Sequence, residues 1–372
     1  MKKEKYFLPI TFSLIIGILG ISFFFKTDNK VSVSERRELY TRRNITDYKV
    51  MDGSLFEYFE KYLLDQIPLR ENFRRLKSIN TYYIYKKLDN HDIIVKDNHA
   101  TKLSYEIDDN DINLYIKKIN QIINKKINKE NVNIYHSVIP DKNYYLIRNK
   151  EYPLLDYENL VKNVKSINGK YIDIFEELSL DSYYYTDSHW KEDSIIPVAN
   201  KILKNMNSEE IKNSKISTSL KPFYGIYYGE SALPLKSEEI RYVTTTEIEY
   251  STFYRYDSKS ETFNKSNIYD IEKFNNKLVD SYDIFLGGAS TIDYFDNKLV
   301  NNNKRLYIFS DSFGRSIAPL LLSNYNKVVL YDIRYMNVDT ALKIMPIEEN
   351  ADVLFLYSTT SIDVSNNLQV GD

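Results

Sequence analysis

The order of apolar segments predicts an α/β protein: a mainly parallel sheet between helical layers, with a β-rich insertion and one N-terminal transmembrane helix. Three observations predict it. From residue 284 to residue 357, short apolar runs alternate with helical patterns, the arrangement that places successive strands parallel in a sheet covered on both faces. Residues 215–265 are dense in Tyr, Thr and Ser, and RYVTTTEIEYSTFYRY has the β-branched and aromatic character of strands. Phe7 to Phe25 is a run of 19 residues without a charge.

The elements follow in chain order. A helix over Phe7 to Phe25 is about 28 Å long, close to a hydrocarbon core. Lys2, Lys3 and Lys5 precede it, which favours a cytoplasmic N-terminus and an extracytoplasmic body. The run ends in Phe23-Phe24-Phe25 rather than a small-x-small site, so an uncleaved anchor is expected over a cleaved signal peptide. The division expected is residues 1–30 as cytoplasmic tip and anchor, and 31–372 as one extracytoplasmic domain with the insertion at 215–265. Leu55 to Lys87 reads as helix, with Phe56, Phe59 and Leu63 on one stripe and Leu55, Tyr58 and Tyr62 beside it. Asp65 to Arg70 (DQIPLR) interrupts it, because Pro68 disfavours helix at Ile67.

Asn110 to Lys129 is a second helical pattern, and Asn133 to Ile139 a buried strand stopped by Pro140. Glu158 to Ser166 reads as helix, Tyr171 to Phe175 as strand, and Glu192 to Met206 as an amphipathic helix with Pro197 near its start. The closing series is strand at Ile284 to Leu286, strand at Leu306 to Ser310, helix at Ser316 to Leu322, strand at Val328 to Tyr331, helix at Asp339 to Ile344 and strand at Val353 to Tyr357. Asn- and Lys-rich patches such as NKKINKEN read as solvated helix ends.

Composition narrows the chemistry. The 372 residues carry 50 basic and 52 acidic side chains, a balance that argues against nucleic-acid binding. With 43% apolar and 27% charged residues the chain is globular rather than disordered. It has no cysteine, which removes disulfides, thiolate metal sites and cysteine nucleophiles together. No H-x-x-x-H, H-E-x-x-H, P-loop or G-x-G-x-x-G occurs, so neither a metal nor a nucleotide cofactor is expected. The 34 tyrosines accompany abundant Lys, Asn and Ile, as AT-rich codon usage would produce.

Of four histidines, His91 and His99 lie in polar loops, each following an Asp by two residues (Asp89, Asp97), and His136 sits in an apparent strand where it reads as core. His189 differs. In YYYTDSHWKED it follows Asp187 by two residues, among aromatics, with a helix just after. In extended backbone the two side chains share a face, so Asp187 can fix the imidazole tautomer and leave the other nitrogen as a base. Alternatively Asp187 simply caps the helix. In LYIFSDSFGRS an apolar strand ends at Ser310 and a helix begins near Gly314, which puts Ser312 at a strand's carboxyl end, where open α/β sheets bind ligands. It reads either as a nucleophile or as a helix-capping serine.

TDSHW, FLGG and SDSFG, in that order, resemble the DHHW family, which is similar to the SGNH-like proteins of alginate and other exopolysaccharide O-acetylation. IPDK (Ile139 to Lys142), DQIPLR, FYG (Phe223 to Gly225) and YDIRY (Tyr331 to Tyr335) support the resemblance, which spans roughly residues 35 to 360. It implies an SGNH-like α/β/α sandwich in permuted motif order, with Ser312 as nucleophile, His189 as base and Asp187 as its orienter. Ser310 replaces the usual Gly of the serine block, and Ala289 follows FLGG where an oxyanion-hole Asn would be expected, leaving the Gly287 or Gly288 N–H as candidates. Arg334 reads equally as a site residue or a structural ion pair.

The function so implied is a membrane-anchored O-acyltransferase acetylating a surface polysaccharide. The acyl donor, activated in the cytoplasm, would be exported by a polytopic membrane O-acyltransferase partner. A carbohydrate esterase with the same triad, and a non-catalytic polysaccharide-binding protein, are the alternatives. An open groove beside Ser312 is expected, walled by rings among Tyr183, Tyr184, Tyr185, Trp190, Tyr224, Tyr227 and Tyr228, with Trp190, Tyr185, Tyr224 and Arg334 as the substrate-binding candidates.

Overall fold

A computed structural model describes residues 4–42, 53–87, 91–104, 106–127, 131–147, 152–276 and 280–371. The Asp89 paired in sequence with His91, and part of NKKINKEN, lie outside these. The chain divides into two compact units, Met1–His91 with Tyr228–Pro234, and Asp92–Tyr227 with Leu235–Asp372.

In the first unit a helix runs over Glu4–Phe25. Its segment Tyr6–Phe25, of mean hydropathy 2.2, is long and apolar enough to cross a membrane or to serve as a signal sequence. A short antiparallel pair, β1 (Val31–Ser32) and β2 (Arg37–Glu38), follows. The helix expected over Leu55 to Lys87 is Ser54–Gln66 and then Arg70–Ile79, closing in a π turn at Asn80–Ile84. The break falls where Pro68 predicts it: Ile67 adopts extended ψ of 132°. Of the two stripes on the first helix, Tyr58 and Tyr62 are buried, whereas Phe56, Phe59 and Leu63 are exposed. DQIPLR is structural: Asp65, buried, takes a bidentate bond from Arg37, and Gln66 bonds the backbone at Asn29 and Tyr40.

The second unit opens with the hairpin β3 (Ile93–Lys96) and β4 (His99–Lys102). Its main sheet has eight strands. β5 (Asn133–Ile139) and β6 (Lys170–Tyr171) lie at one side; β7 (Ser214–Phe223) and β8 (Glu238–Thr245) form a separate hairpin; β9 (Ser251–Asp257), β10 (Thr262–Ser266), β11 (Ile292–Asn297), β12 (Arg305–Ser310), β13 (Lys327–Tyr331) and β14 (Ala351–Ser358) complete it. The order is β10-β9-β11-β13-β12-β14-β5-β6. From β13 to β6 all pairs are parallel; β11, β9 and β10 extend the sheet antiparallel.

Alternation places successive side chains of a strand on opposite faces. Leu306 and Ile308 of β12 pack with helix Ile196–Asn205 through Val198, Ile202 and Leu203. Tyr307 and Phe309 pack on the other face with Ile112, Tyr115, Ile119 and Ile122 of helix Asp109–Lys126. Helices on both faces make this an α/β/α sandwich with a mostly parallel sheet. β12 and β14 read as near-continuous apolar runs because both their faces are covered.

Several elements differ from expectation. The β-rich stretch at 215–265 is not one insertion. β7 and β8 stand apart, while β9 and β10 pair onto β11 as the edge of the main sheet. Tyr171 to Phe175 forms a strand only at Lys170–Tyr171 and turns into a 3-10 helix at Phe175. Ile284 to Leu286 is no strand: a 3-10 turn ends at Ile284, and Leu286 has a left-handed φ of 57°. The helix expected from Glu192 begins as a 3-10 turn, because the Glu192 carboxyl is drawn inside to accept from the Val243 N–H and the Tyr269 hydroxyl.

Candidate active site

The strand β12 delivers Ser312 and the loop before helix Ile196–Asn205 delivers the other two groups. After Ser310, the Asp311 carboxylate accepts from the Phe313 N–H, the Ser358 N–H and hydroxyl, and the Ser361 hydroxyl. That fastens the turn after β12 to the turn after β14 and leaves Ser312, half-buried, as its outward residue. The loop Tyr183 to Trp190 closes on itself through a bridge between those two residues, and the Tyr184 N–H donates to the His189 carbonyl.

The three predicted residues meet. His189 Nδ1 lies 2.6 Å from Asp187 Oδ1, and His189 Nε2 lies 2.7 Å from Ser312 Oγ. Asp187 Oδ1 also accepts from the His189 N–H at 3.0 Å, a turn bond inside the loop, and Asp187 caps no helix: the helical turn at Glu192–Ser194 and the helix at Ile196–Asn205 begin at Lys191 and Ile195 without a side-chain cap. Oδ2 accepts from the Ile226 N–H at 3.0 Å. Asp187 is wholly buried. Burial opposes its ionisation, but the His189 charge and the bonds from the His189 ring and from the Ile226 and His189 N–H groups outweigh it and hold the carboxyl well below the usual range.

Around this line stands an aromatic frame. The Tyr282 ring stacks on the His189 ring, centroids 3.9 Å apart and 10° from parallel, and Phe313 lies 4.9 Å away. Tyr282 Oη and Trp190 Nε1 both meet the buried Ser316 Oγ, at 2.9 and 2.8 Å. The Arg315 guanidinium lies over the Tyr282 ring, 5.5 Å from its centroid, and donates to Asp283 at 2.7 Å. Gly225 of FYG is indispensable here, because a Cβ at that position would lie 2.3 Å from Asp187 Cβ and 2.4 Å from the Thr186 carbonyl oxygen. Its N–H donates to Thr186 Oγ1.

Behind the loop lies Lys142 of IPDK, wholly buried. Its Nζ donates to the Tyr184 carbonyl at 2.9 Å and the Tyr185 carbonyl at 3.4 Å, over the Tyr227 ring. Burial lowers its pKa to about 7. Glu238 Oε1 accepts from the Thr186 N–H, and burial raises that carboxyl to about 7.

The remaining candidates separate. Trp190, Tyr183 and Tyr184 are fully buried and belong to the core, so they cannot wall a groove. Tyr183 spends its hydroxyl on the Pro140 carbonyl. Tyr185 is half-buried under Lys191 and lines a cavity of about 760 Å³ with Glu238 and Arg241, which neither Ser312 nor His189 reaches. Tyr224 is half-buried beside Gly225. Arg334 forms a bidentate pair with Asp332 at 2.8 and 2.6 Å, so of its two readings the ion pair is what the geometry holds. Gly287 and Gly288 have φ of 72° and 90°, and the Gly288 N–H is already bonded to the Phe285 carbonyl. Among the described residues the N–H groups of Ser312 and Gly287 have no hydrogen-bond partner. His136 is buried in β5 against Tyr171, its pKa lowered to about 4 by burial, as a neutral core histidine. His99 is also buried, against Tyr185. No cluster of metal-ligating side chains is present among the described residues.

By sequence the chain matches no family model and no curated protein. By structure it is similar to a DHHW family protein from Eubacterium siraeum, with a TM-score of 0.59 and 21% identity over 75% of this chain and 96% of that one. The fold is shared with a DHHW family protein. Bacillus cereus PatB1, also solved with a sulfonyl adduct, overlays at a TM-score of 0.57 and 18% identity, over 73% of this chain and 97% of that one. The O-acetyltransferase domain of Pseudomonas putida AlgJ overlays at a TM-score of 0.41 and 11% identity, covering 73% and 92%. On this DHHW fold, the residues sequence reasoning missed are Tyr282, Lys142, Glu238 and Gly225. Lys142 and Gly225 carried a signal, since IPDK and FYG were among the resembling motifs. Tyr282 and Glu238 carried none.

Proposed function

We propose that the protein is a membrane-anchored, extracytoplasmic O-acyltransferase that acetylates a cell-surface polysaccharide through an acyl-serine intermediate. The observation that carries this reading is the continuous line from Asp187 through His189 to Ser312 at the carboxyl end of a central strand. In the first half-reaction Ser312 Oγ attacks the acyl carbonyl, forming the new ester bond as the donor's bond to its leaving group breaks. His189 Nε2 takes the serine proton and passes it to the leaving group. In the second, an acceptor hydroxyl attacks the acyl-serine, gives its proton to His189, and Ser312 Oγ leaves and recovers it. Asp187, anionic and buried, keeps Nδ1 protonated throughout. The Ser312 N–H, with Gly287 as the second candidate, faces the need for an oxyanion donor.

The acyl donor would come from a polytopic membrane partner, since the helix at Tyr6–Phe25 would hold the body outside the membrane while activated acetyl is made within. No bound cofactor enters the scheme. The test uses the full chain in detergent with a chromogenic acetyl ester and an oligosaccharide acceptor. Ser312-dependent chromophore release with acetyl appearing on the sugar is the expected result. Acetate as the sole product with every sugar offered would make the protein an esterase. Absence of any acyl or sulfonyl adduct on Ser312 by mass spectrometry would remove the catalytic reading.

A further inference from the structure

The strand registers place a second feature on the same edge of the sheet as Ser312. Phe309 pairs with Tyr331, Tyr331 with Ile292, Asp293 with Arg255, and Arg255 with Asn264. The ends of β12, β13 and β9 and the starts of β11 and β10 therefore lie along one rim. Three strand spacings separate β12 from β9, about 14 Å along that rim. At its far part is a cavity of about 480 Å³, lined among others by Arg255, Tyr256, Lys265, Ser290, Thr291 and Tyr335.

The lining has the chemistry of a sugar site. Hydroxyl, amide and guanidinium groups offer both donors and acceptors, and the Tyr335 ring offers a flat apolar face, beside Tyr256, which packs on Phe263. Tyr335 is 55% exposed, yet it is not loose: its N–H donates to the Asp332 carbonyl, and the Arg334 guanidinium, clamped by Asp332, backs its ring at 5.4 Å. The charges balance. Arg255 is bonded to the buried Asp293, and Lys265 shares the cavity with Asp257, which fits a neutral polyhydroxylated ligand better than an ionic one. Arg255 also reaches toward the site, donating to the Gly288 carbonyl at 2.7 Å. Gly288 packs on Asp283, which holds Arg315 beside Tyr282 and His189.

We propose that this cavity is a distal acceptor subsite, holding neutral sugar units of the polysaccharide several positions away from the unit whose hydroxyl attacks at Ser312. The inference rests on the acyl-transfer reading above. It replaces the groove of Tyr183, Tyr184 and Trp190 with one that runs along the rim toward Tyr335 and Tyr256.

The experiment uses the full chain in detergent, the chromogenic acetyl ester as donor, and mono- to hexasaccharides of β-1,4-linked glucose and of N-acetylglucosamine as acceptors. Tyr335→Ala should raise KM for the tetra- and hexasaccharides about tenfold while leaving ester hydrolysis and monosaccharide transfer unchanged. Tyr335→Phe, which keeps the ring, should behave as the parent, and the exposed Lys265→Ala should share the length-dependent defect. A Tyr335→Ala effect equal on mono- and hexasaccharide, or none on either, overturns the subsite while leaving Ser312 chemistry intact. If Ser312-dependent release is absent altogether, saturation-transfer NMR with the hexasaccharides decides separately. Loss of binding in Tyr335→Ala upholds the subsite without the catalytic reading, and Tyr335-independent or absent binding overturns it.

Discussion

The two halves of the main sheet are built on opposite logics. In the parallel half, β14 is buried at every residue and β12 at all but its first. In the antiparallel half, β11 alternates buried with half-buried positions, β9 buries only Phe253, and β10 buries none. The parallel half is a slab with cover on both faces, and it holds Ser312 just beyond the carboxyl end of β12. The antiparallel half is a rim with one wet side, and it supplies the polar cavity. Close packing sits under Ser312, and half-exposed polar surface sits to the side.

That contrast can be broken from the parallel half first. Ser312→Ala or His189→Ala should lower acyl transfer by about 10⁴-fold or more; the unfolding midpoint should hold in Ser312→Ala and fall in His189→Ala, which removes the ring stacked on Tyr282 and the partner of the buried Asp187. Turnover and thermal melts on the same preparations check it, and a residual rate above a hundredth of the parent's would show that the line through His189 is not the engine.

Ile308→Ala, in the slab, should destabilise by roughly 3 kcal/mol, since it empties a fully buried site between packed helices. Tyr254→Ala, on the rim, should cost about 1 kcal/mol, the value of its stacking on Tyr294 and partial burial. Urea unfolding of the two variants compares the halves directly, and equal losses would erase the distinction.

Gly225→Ala tests how tightly the loop is seated. The new Cβ must displace Asp187 or the backbone at Thr186. A displacement of this kind should reduce kcat by about 100-fold, with KM for the donor ester nearly unchanged. A variant with parent kcat would mean that the loop yields without moving Asp187.

A last effect concerns pH. Glu238 has its pKa raised to about 7 in the folded state against 4.5 ordinarily, so its stabilisation is present below pH 4.5 and lost as pH rises to about 7. Lys142 has its pKa lowered to about 7 against 10.5, so its contribution is regained as pH rises from about 7 toward 10.5. Stability should pass through a shallow minimum near neutrality. Glu238→Gln should flatten the acid-side arm by on the order of 1–3 kcal/mol, read from urea midpoints at pH 5 and pH 7. An unchanged slope in the variant would exclude Glu238 as its source.

The slab was legible in the sequence and the rim was not, for the same physical reason. Short apolar runs such as LYIFS and VLFLY, too brief for a helix, read as buried strands, and a strand end followed by a turn and a helix locates Ser312. IDYFDN, with two aspartates and an asparagine, carries no strand signal of its own, because its buried Asp293 and Asn297 are satisfied by Arg255 and by the Leu322 carbonyl, partners remote in sequence. The strand character of 251–266 was visible, but which sheet it joins depends on a register with β11 that no local pattern encodes. Asp187 and His189 were legible from spacing. The burial of Trp190 was not, since an aromatic beside a catalytic motif looks alike whether it faces sugar or core, and Ser316 gives its N–H an interior partner.

The flat contact between Tyr282 and His189 has a spectroscopic consequence. Protons held above the face of an aromatic ring are shielded by its circulating electrons, and a spacing of 3.9 Å with near-parallel planes puts the imidazole C–H groups inside that cone. Among the described histidines, His99 meets Tyr185 edge to face and His136 lies tilted to Tyr171. His189 should therefore stand upfield of the others in the proton spectrum, a resolved resonance on the ring that bonds Ser312, through which the acylation proposed for Ser312 would be watched without a label.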